Sequence, residues 1–488
     1  MPVTSPDANA PKQTSGASAV TFTICRYVTY VFSCLRSLLV AKYLGPQLLG
    51  ILGFLLLVTQ YLNYTGMGLQ FALNVELATT PATTHGRSSS VALTFTGILA
   101  TGLIVLGFVI QSAHLPLFAK YSFSRYALVV GAIAALSLVQ QVYTNIYRIY
   151  GKLFEIAAVE IFSALLLLIL TIIFRGQTLI SALLGGLCAS TLFAIIVFVL
   201  RSPLAFTLSL DRAYVRTLLR LGIPLLIYSA SMTLITMVAQ TVVSIFYPLV
   251  AMGYYTLATS ITNVSLLGFS SIAWIAYPII LGKTHLDVPD QDAARVTDRA
   301  NVVLGTGVFL IVFAVVLGLP ILFLILPKYA PARDAVTVLL LSQALLMSSF
   351  GYNCLAIARH KQMAVARISI MSVLVVTVLS TVAGILHLRI IWVAVAVLAG
   401  ASLLTLFQAQ IGSKLLGGIR LRPIVPVGSI ASVAFCVAGT LAGYPITGAV
   451  LGSAVYLGSN NSRVMEIWNV SKPYVVSRNK KTMSESAL

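Results

Sequence analysis

Acidic residues are scarce in this chain: 12 Asp+Glu in 488 residues, against 31 Lys+Arg. Only 9% of positions are charged, whereas 59% are hydrophobic. A soluble domain carries about 25% charged residues. A water-soluble globule would therefore lack the polar groups to cover its surface. The same apolar excess excludes a disordered chain. Cysteine is scarce too. Cys25, Cys34, Cys188, Cys354 and Cys436 lie singly in apolar stretches, with no CxxC pair, which excludes a disulfide framework and a thiolate metal centre. There is no HExxH, no His/Cys cluster and no GxSxG elbow. Gly282-Lys283-Thr284 resembles the end of a P-loop, but the glycine needed five positions earlier is Tyr277. No catalytic residue, metal or cofactor is expected, and the chain reads as a non-enzyme without an ATP motor.

What is present is long apolar runs, with a mean hydropathy of +0.98. At about 20 residues per crossing, they divide into spans near 20–41, 47–67, 90–112, 126–147, 153–174, 179–200, 221–246, 250–275, 301–325, 335–357, 364–386, 390–411, 424–442 and 445–459. The expected fold is an all-α polytopic membrane protein of 12–14 transmembrane helices. The first apolar run carries Arg26 and Arg36, so it reads as a span and not as a cleaved signal. With the N-terminus placed in the cytoplasm, 22 basic residues fall on that side and 7 on the other. That asymmetry follows the positive-inside rule and accounts for the net charge of +19 without nucleic acid. The cytoplasmic excess also suits anionic membrane lipid.

Lys120, Tyr121, Arg125 and Ala127 recur as Lys328, Tyr329, Arg333 and Ala335. Lys152 recurs as Lys361, and Gly50 as Gly253, at nearly the same offset. The pattern predicts two parallel six-helix repeats, which can rock about a central cavity in alternating access. The segments expected are a cytoplasmic tail (1–19), a first bundle (20–200), a cytoplasmic linker (201–220), a second bundle (221–411), two C-terminal helices (412–459) and a cytoplasmic tail (460–488).

Charge inside a span is costly, and so informative. Arg26 and Arg36 lie about 15 Å apart along one helix and about 80° around it, so both can face one cavity. Guanidinium suits bidentate phosphate contact; the alternative use is snorkelling to either membrane face. Glu160 lies deep enough to carry a proton or cation, and Glu155 near it is also a candidate for ion coupling, although a first-turn carboxylate serves the helix dipole equally well. Tyr61, Asn63, Gln70 and Asn74 mix aromatic and amide groups as sugar contacts require. An interfacial aromatic belt explains the tyrosine as well. Glu76 is read as ending an interfacial helix. Gln240 and Asn263 are further candidate substrate contacts, with interhelical hydrogen bonding as the commoner use. Pro224, Gly66 and Gly68 are candidate gating positions.

The run Arg36-Ser-Leu-Leu-Val-Ala-Lys-Tyr-Leu-Gly-Pro-Gln-Leu-Leu-Gly50 resembles the end of the first helix in bacterial Wzx-type flippases of the multidrug/oligosaccharidyl-lipid/polysaccharide flippase superfamily. Gly66-Met-Gly-Leu-Gln-Phe-Ala-Leu-Asn74 is similar to that family's second-helix end, and Lys328-Tyr329-Ala330 with Ala335 to the start of its tenth. Leu49 and the Asn74-Val-Glu76 run depart from the pattern. The resemblance covers about the first 410 residues. It implies a V-shaped pair of bundles in the bacterial inner membrane with both termini cytoplasmic. It implies outward translocation of undecaprenyl-diphosphate-linked oligosaccharide for O-antigen, capsule or exopolysaccharide synthesis. Arg26 and Arg36 would meet the diphosphate, and a polysaccharide polymerase and a chain-length regulator would be partners. The rival on the same fold is a multidrug and toxin extrusion exporter coupled to a cation. A polymerase or glycosyltransferase would need a large outer loop, and none exceeds about 15 residues.

Overall fold

The computed structural model describes residues 16–114, 118–417 and 427–459, together with Asn461 and Met465. The expected N-terminal tail and C-terminal tail fall almost wholly outside these residues, as do Arg420 and Arg422. The regular structure of the described residues is all helical, with no strand among them. Among the described residues, nine helices are long and apolar enough to cross a membrane. One of them, Ile24–Gly66, must cross twice. Its helix α1, Gly16–Asn63, has 48 residues, about 72 Å of rise against a core of about 30 Å. The turn is at Gly45, with φ 69° and ψ 173°. Glycine reaches positive φ freely, and Pro46 follows with no N–H to continue the ladder.

Helix α2 (Leu69–Thr79) is a short element after the second crossing. Helices α3 (Ala82–Ser112), α4 (Phe123–Ile149), α5 (Leu153–Ile173) and α6 (Gly176–Leu200) follow. Then come α7 (Arg212–Phe246) and α8 (Leu249–Lys283), each 35 residues long. Helix α9 (Asp290–Ile325) leads to α10 (Arg333–Ser348) and α11 (Phe350–Ala358), one crossing broken at Ser349. Helices α12 (Gln362–Ile385) and α13 (Ile391–Leu415) complete the series before α14 (Val427–Leu441) and α15 (Pro445–Ser459). The protein is an all-α polytopic membrane protein.

Two compact units divide the chain, Met1–Ser260 and Ile261–Leu488. In the first, α3 packs on α4, α5 on α1, and α7 on α2. Two contacts are so close that no side chain fits. A Cβ on Gly253 would lie 1.8 Å from the Pro46 carbonyl oxygen, and one on Gly50 would lie 2.4 Å from that of Leu249. The repeat-matched glycines thus meet each other. Likewise, Gly68 sits at φ +76° with its α-carbon against the Gly222 carbonyl.

In the second unit, α10 packs on α9 and α13, and α14 pairs with α15. The break at Ser349 is bridged by Asn301, whose Oδ1 accepts the Gly351 N–H at 2.7 Å. Tyr456 of α15 stacks on Phe309 of α9, ring centroids 5.1 Å apart. All five cysteines are free thiols.

Candidate functional site

In the first unit Arg26 and Arg36 lie on α1 and Glu160 lies on α5, and the two arginines do not share one environment. Arg26 Nε lies 3.5 Å from Glu160 Oε2 of α5. Phe22 and Tyr30, one turn to either side on α1, place their rings 5.3 and 5.9 Å from its guanidinium. Aromatic faces and a carboxylate thus surround a charge that lipid would penalise. Glu155 sits one and a half turns earlier, in the first turn of α5, where its charge favours the helix dipole. No described cation pairs with it.

Arg36 has no such partner: no described acidic side chain pairs with it. It lines a cavity of about 210 Å³ bounded by α1, α5, α6 and the start of α8. The walls are mostly leucine: Leu49, Leu52, Leu56, Leu167, Leu183 and Leu187. Two of the lining hydroxyls are committed to helix carbonyls, Ser37 to Ser33 at 2.8 Å and Thr256 to Met252 at 2.8 Å, and Ser260 adds a third hydroxyl. The guanidinium is therefore the single charge facing a leucine-walled space. An unpaired cation in an apolar cavity attracts an anion that can form several charge-assisted hydrogen bonds.

The other residues singled out from the sequence fall elsewhere. Tyr61 exchanges a hydrogen bond of 2.8 Å with Thr241 of α7. Asn63, Gln70, Gly66 and Gly68 line a void of about 10 Å³, with room for one water at most. The Gln70 carbonyl accepts from Asn145 Nδ2 at 3.2 Å. Asn74 is half-buried on α2, and Gln240 is buried on α7. Asn263 lies on the part of α8 belonging to the second unit and is exposed. Pro224 sits within α7, which stays a single helix across it. Gly66 closes a 3-10 turn, Tyr64–Gly66.

Two polar clasps on α7 had no counterpart in the sequence reading. At its start, Asp211 accepts the backbone N–H of Ala213 and Tyr214 and pairs with Arg87 at 2.7 Å. The Tyr214 amide and Arg87 together hold the Asp211 carboxyl below its ordinary range. The Tyr214 hydroxyl donates to Glu76 Oε1 at 2.6 Å and meets Ser88 Oγ at 2.6 Å; burial, then Glu76, push its pKa up. At the far end, Lys120 Nζ donates to the Ser244 carbonyl at 3.2 Å and to that of Tyr247, and Tyr121 donates to Ser244 at 2.8 Å. These groups satisfy the last carbonyls of α7. Desolvation lowers the Lys120 pKa. The repeat match had marked Lys120 and Tyr121 without indicating their target. No set of His, Cys, Asp or Glu among the described residues can hold a metal ion.

With this arrangement in view, the chain's likeness to known proteins is informative. It matches no protein-family profile, and no curated relative matches it. It is similar to solved transporters of the MOP superfamily. An outward-facing multidrug resistance MATE family transporter superimposes with a TM-score of 0.57 at 16% identity, over 84% of this chain and 100% of the other. The inward-facing form of such a transporter gives 0.54 at 16%, over 84% and 96%. A point mutant of the Vibrio cholerae MATE transporter VcmN gives 0.57 at 16%, over 83% and 99%. The chain has a MATE-like transporter fold.

Proposed function

We propose that this chain is an alternating-access membrane exporter, not an enzyme, whose first unit accepts the anionic group of an amphiphile. The observation that carries the reading is Arg36, a cation without a described acidic partner, facing a leucine-walled cavity. Glu160 is engaged by Arg26, which leaves Arg36 as the cation at the cavity without a described acidic counterpart. A diphosphate linked to oligosaccharide fits that charge. The substrate class is then undecaprenyl-diphosphate-linked oligosaccharide, moved from the cytoplasmic to the outer leaflet of the bacterial inner membrane. Arg26 would become available to a phosphate by exchange with Glu160. A polymerase and a chain-length regulator would act on the product.

A second reading, a cation-coupled multidrug exporter, is favoured by the solved structures, each a MATE transporter. The likeness supports this second reading more than the first; the buried charge supports the first.

One experiment separates them. Lipid-linked oligosaccharides are extracted from a deletion strain and assigned to a leaflet. Accumulation on the cytoplasmic leaflet, rescued by the wild type but not by Arg36→Ala at equal expression, is expected. An unchanged pool together with new sensitivity to cationic dyes would sink the flippase and establish the drug exporter.

A further inference from the structure

The linker 201–211 and the first turns of α7 carry a charge pattern that the transport reading does not use. Arg212, Arg216 and Arg220 follow at four-residue spacing and so share one face of α7. All three are exposed, and none has an acidic partner among the described residues. Helix stability does not explain them, since cations near a helix start oppose its dipole. The neighbouring Arg87, by contrast, is neutralised by Asp211.

Beside this row lie apolar side chains outside the crossings and uncovered by protein. Leu208 is 95% exposed and Leu210 50%. Hydrogen bonds fix the depth of this linker. The Thr207 N–H donates to Ser90 Oγ at 3.1 Å, and that of Ser209 to Thr94 Oγ1 at 3.2 Å. Leu208 thereby lines a groove of about 460 Å³ with Gly97, Ile98 and Thr101 of α3. Counting about 20 residues back from the end of α3 at Ser112 puts the edge of the hydrocarbon core near residue 93. Leu208 is then level with acyl chains. Asp211, tied to Arg87, lies about 9 Å above that edge, among headgroups.

We propose that this corner is a docking surface for anionic phospholipid. Acyl chains occupy the groove around Leu208, and the arginine row grips the headgroup phosphates above it. Charge complementarity and the leucine-below-arginine order carry the assignment, which is independent of the exported substrate.

The test uses the full chain in nanodiscs of mixed phosphatidylglycerol and phosphatidylcholine, one lipid at a time carrying brominated acyl chains. Leu208→Trp is made with Trp274, Trp392 and Trp468 replaced by Phe. The introduced indole is expected to be quenched, and more strongly when the phosphatidylglycerol is brominated. Arg212→Gln, Arg216→Gln and Arg220→Gln together should lower that preference about fivefold or more. The corresponding lysine triple should keep most of it. Removing three exposed cations of the second unit instead (Arg299, Arg367 and Lys414, each to Gln) should leave it unchanged. Arg216→Gln alone, with a smaller drop, keeps the test readable if the triple fails to express. An unquenched indole, which places the linker in water or under a soluble partner, would overturn the proposal. So would a preference untouched by the arginine triple, or one lost equally in the control triple.

Discussion

The two units place their polar groups by opposite rules. Within its crossings the first keeps ionised side chains: Arg26 with Glu160, and Arg36 alone at a cavity. The described interior of the second is neutral. Asn301, Asn353 and Gln408 are amides buried around the broken crossing. Among its ion pairs, Arg359 with Asp290 and Arg389 with Asp334 sit at helix ends, and Arg295 with Asp292 in the first turns of α9. Both units carry a Lys-Tyr turn with a buried tyrosine, Tyr121 before α4 and Tyr329 before α10. The difference teaches that a packing position can recur in both units while ionic chemistry inside the crossings is found in one. Neutral amides hold a helix break together at modest cost, whereas a charge in lipid persists only with a partner or a task.

Four measurements test that contrast, the largest expected effect first. Gly253→Ala should abolish a folded, monodisperse protein by size-exclusion chromatography, because the added carbon falls 1.8 Å from the Pro46 oxygen. In the second unit Gly305→Ala meets Ser348 Cβ at 3.1 Å and should only lower the thermal midpoint. Next, Arg36→Gln should remove transport while leaving the midpoint within a few degrees, whereas Gln408→Leu should leave transport intact. Loss of transport in both would erase the contrast.

Third, Glu160→Gln leaves Arg26 facing an uncharged amide and should cost about 1–3 kcal/mol, with Arg26→Gln in the same chain recovering part of it. A double-mutant cycle of unfolding midpoints in detergent measures the coupling, and additive losses would show that the pair is idle. The smallest effect concerns Asp211. Its carboxyl is depressed in the folded protein. The stability it adds is therefore complete above the ordinary carboxylate value, near pH 4, and disappears as pH falls through the depressed one. The midpoint difference between wild type and Asp211→Asn should be flat above pH 5 and shrink in acid. A difference that grew in acid would contradict this sign.

The crossings were legible from hydropathy because lipid imposes both length and apolarity. Their ends were not. Helix α7 begins at Arg212 and not near 221, and α9 at Asp290 and not near 301. A hydropathy window stops where arginine and aspartate begin, although the helix runs on past the membrane. Asp211 before Arg212 was the available signal, since aspartate is a good N-cap. The first two crossings, expected near 20–41 and 47–67, are two helices that meet at a kink at Gly45, and Gly45-Pro46 was the visible mark of that turn. For the site, the costly residues could be named from the sequence, but their partners could not. Which face of α5 meets α1 depends on packing, so nothing in the residue order could distinguish paired Arg26 from unpaired Arg36. The carbonyls of α7 held by Lys120 and Tyr121 are backbone groups, invisible to any pattern of side chains.

The contact between Gly50 and Gly253 bears on how this chain can change over time. Gly50 lies on α1 and Gly253 on α8, both in the first unit, and each leaves no room for a heavier residue against the other helix. Most positions in a chain can drift one at a time. These two cannot. A methyl gained at either is felt by both helices, so selection on one polices the other, and this crossing point should be among the slowest parts of the chain to vary.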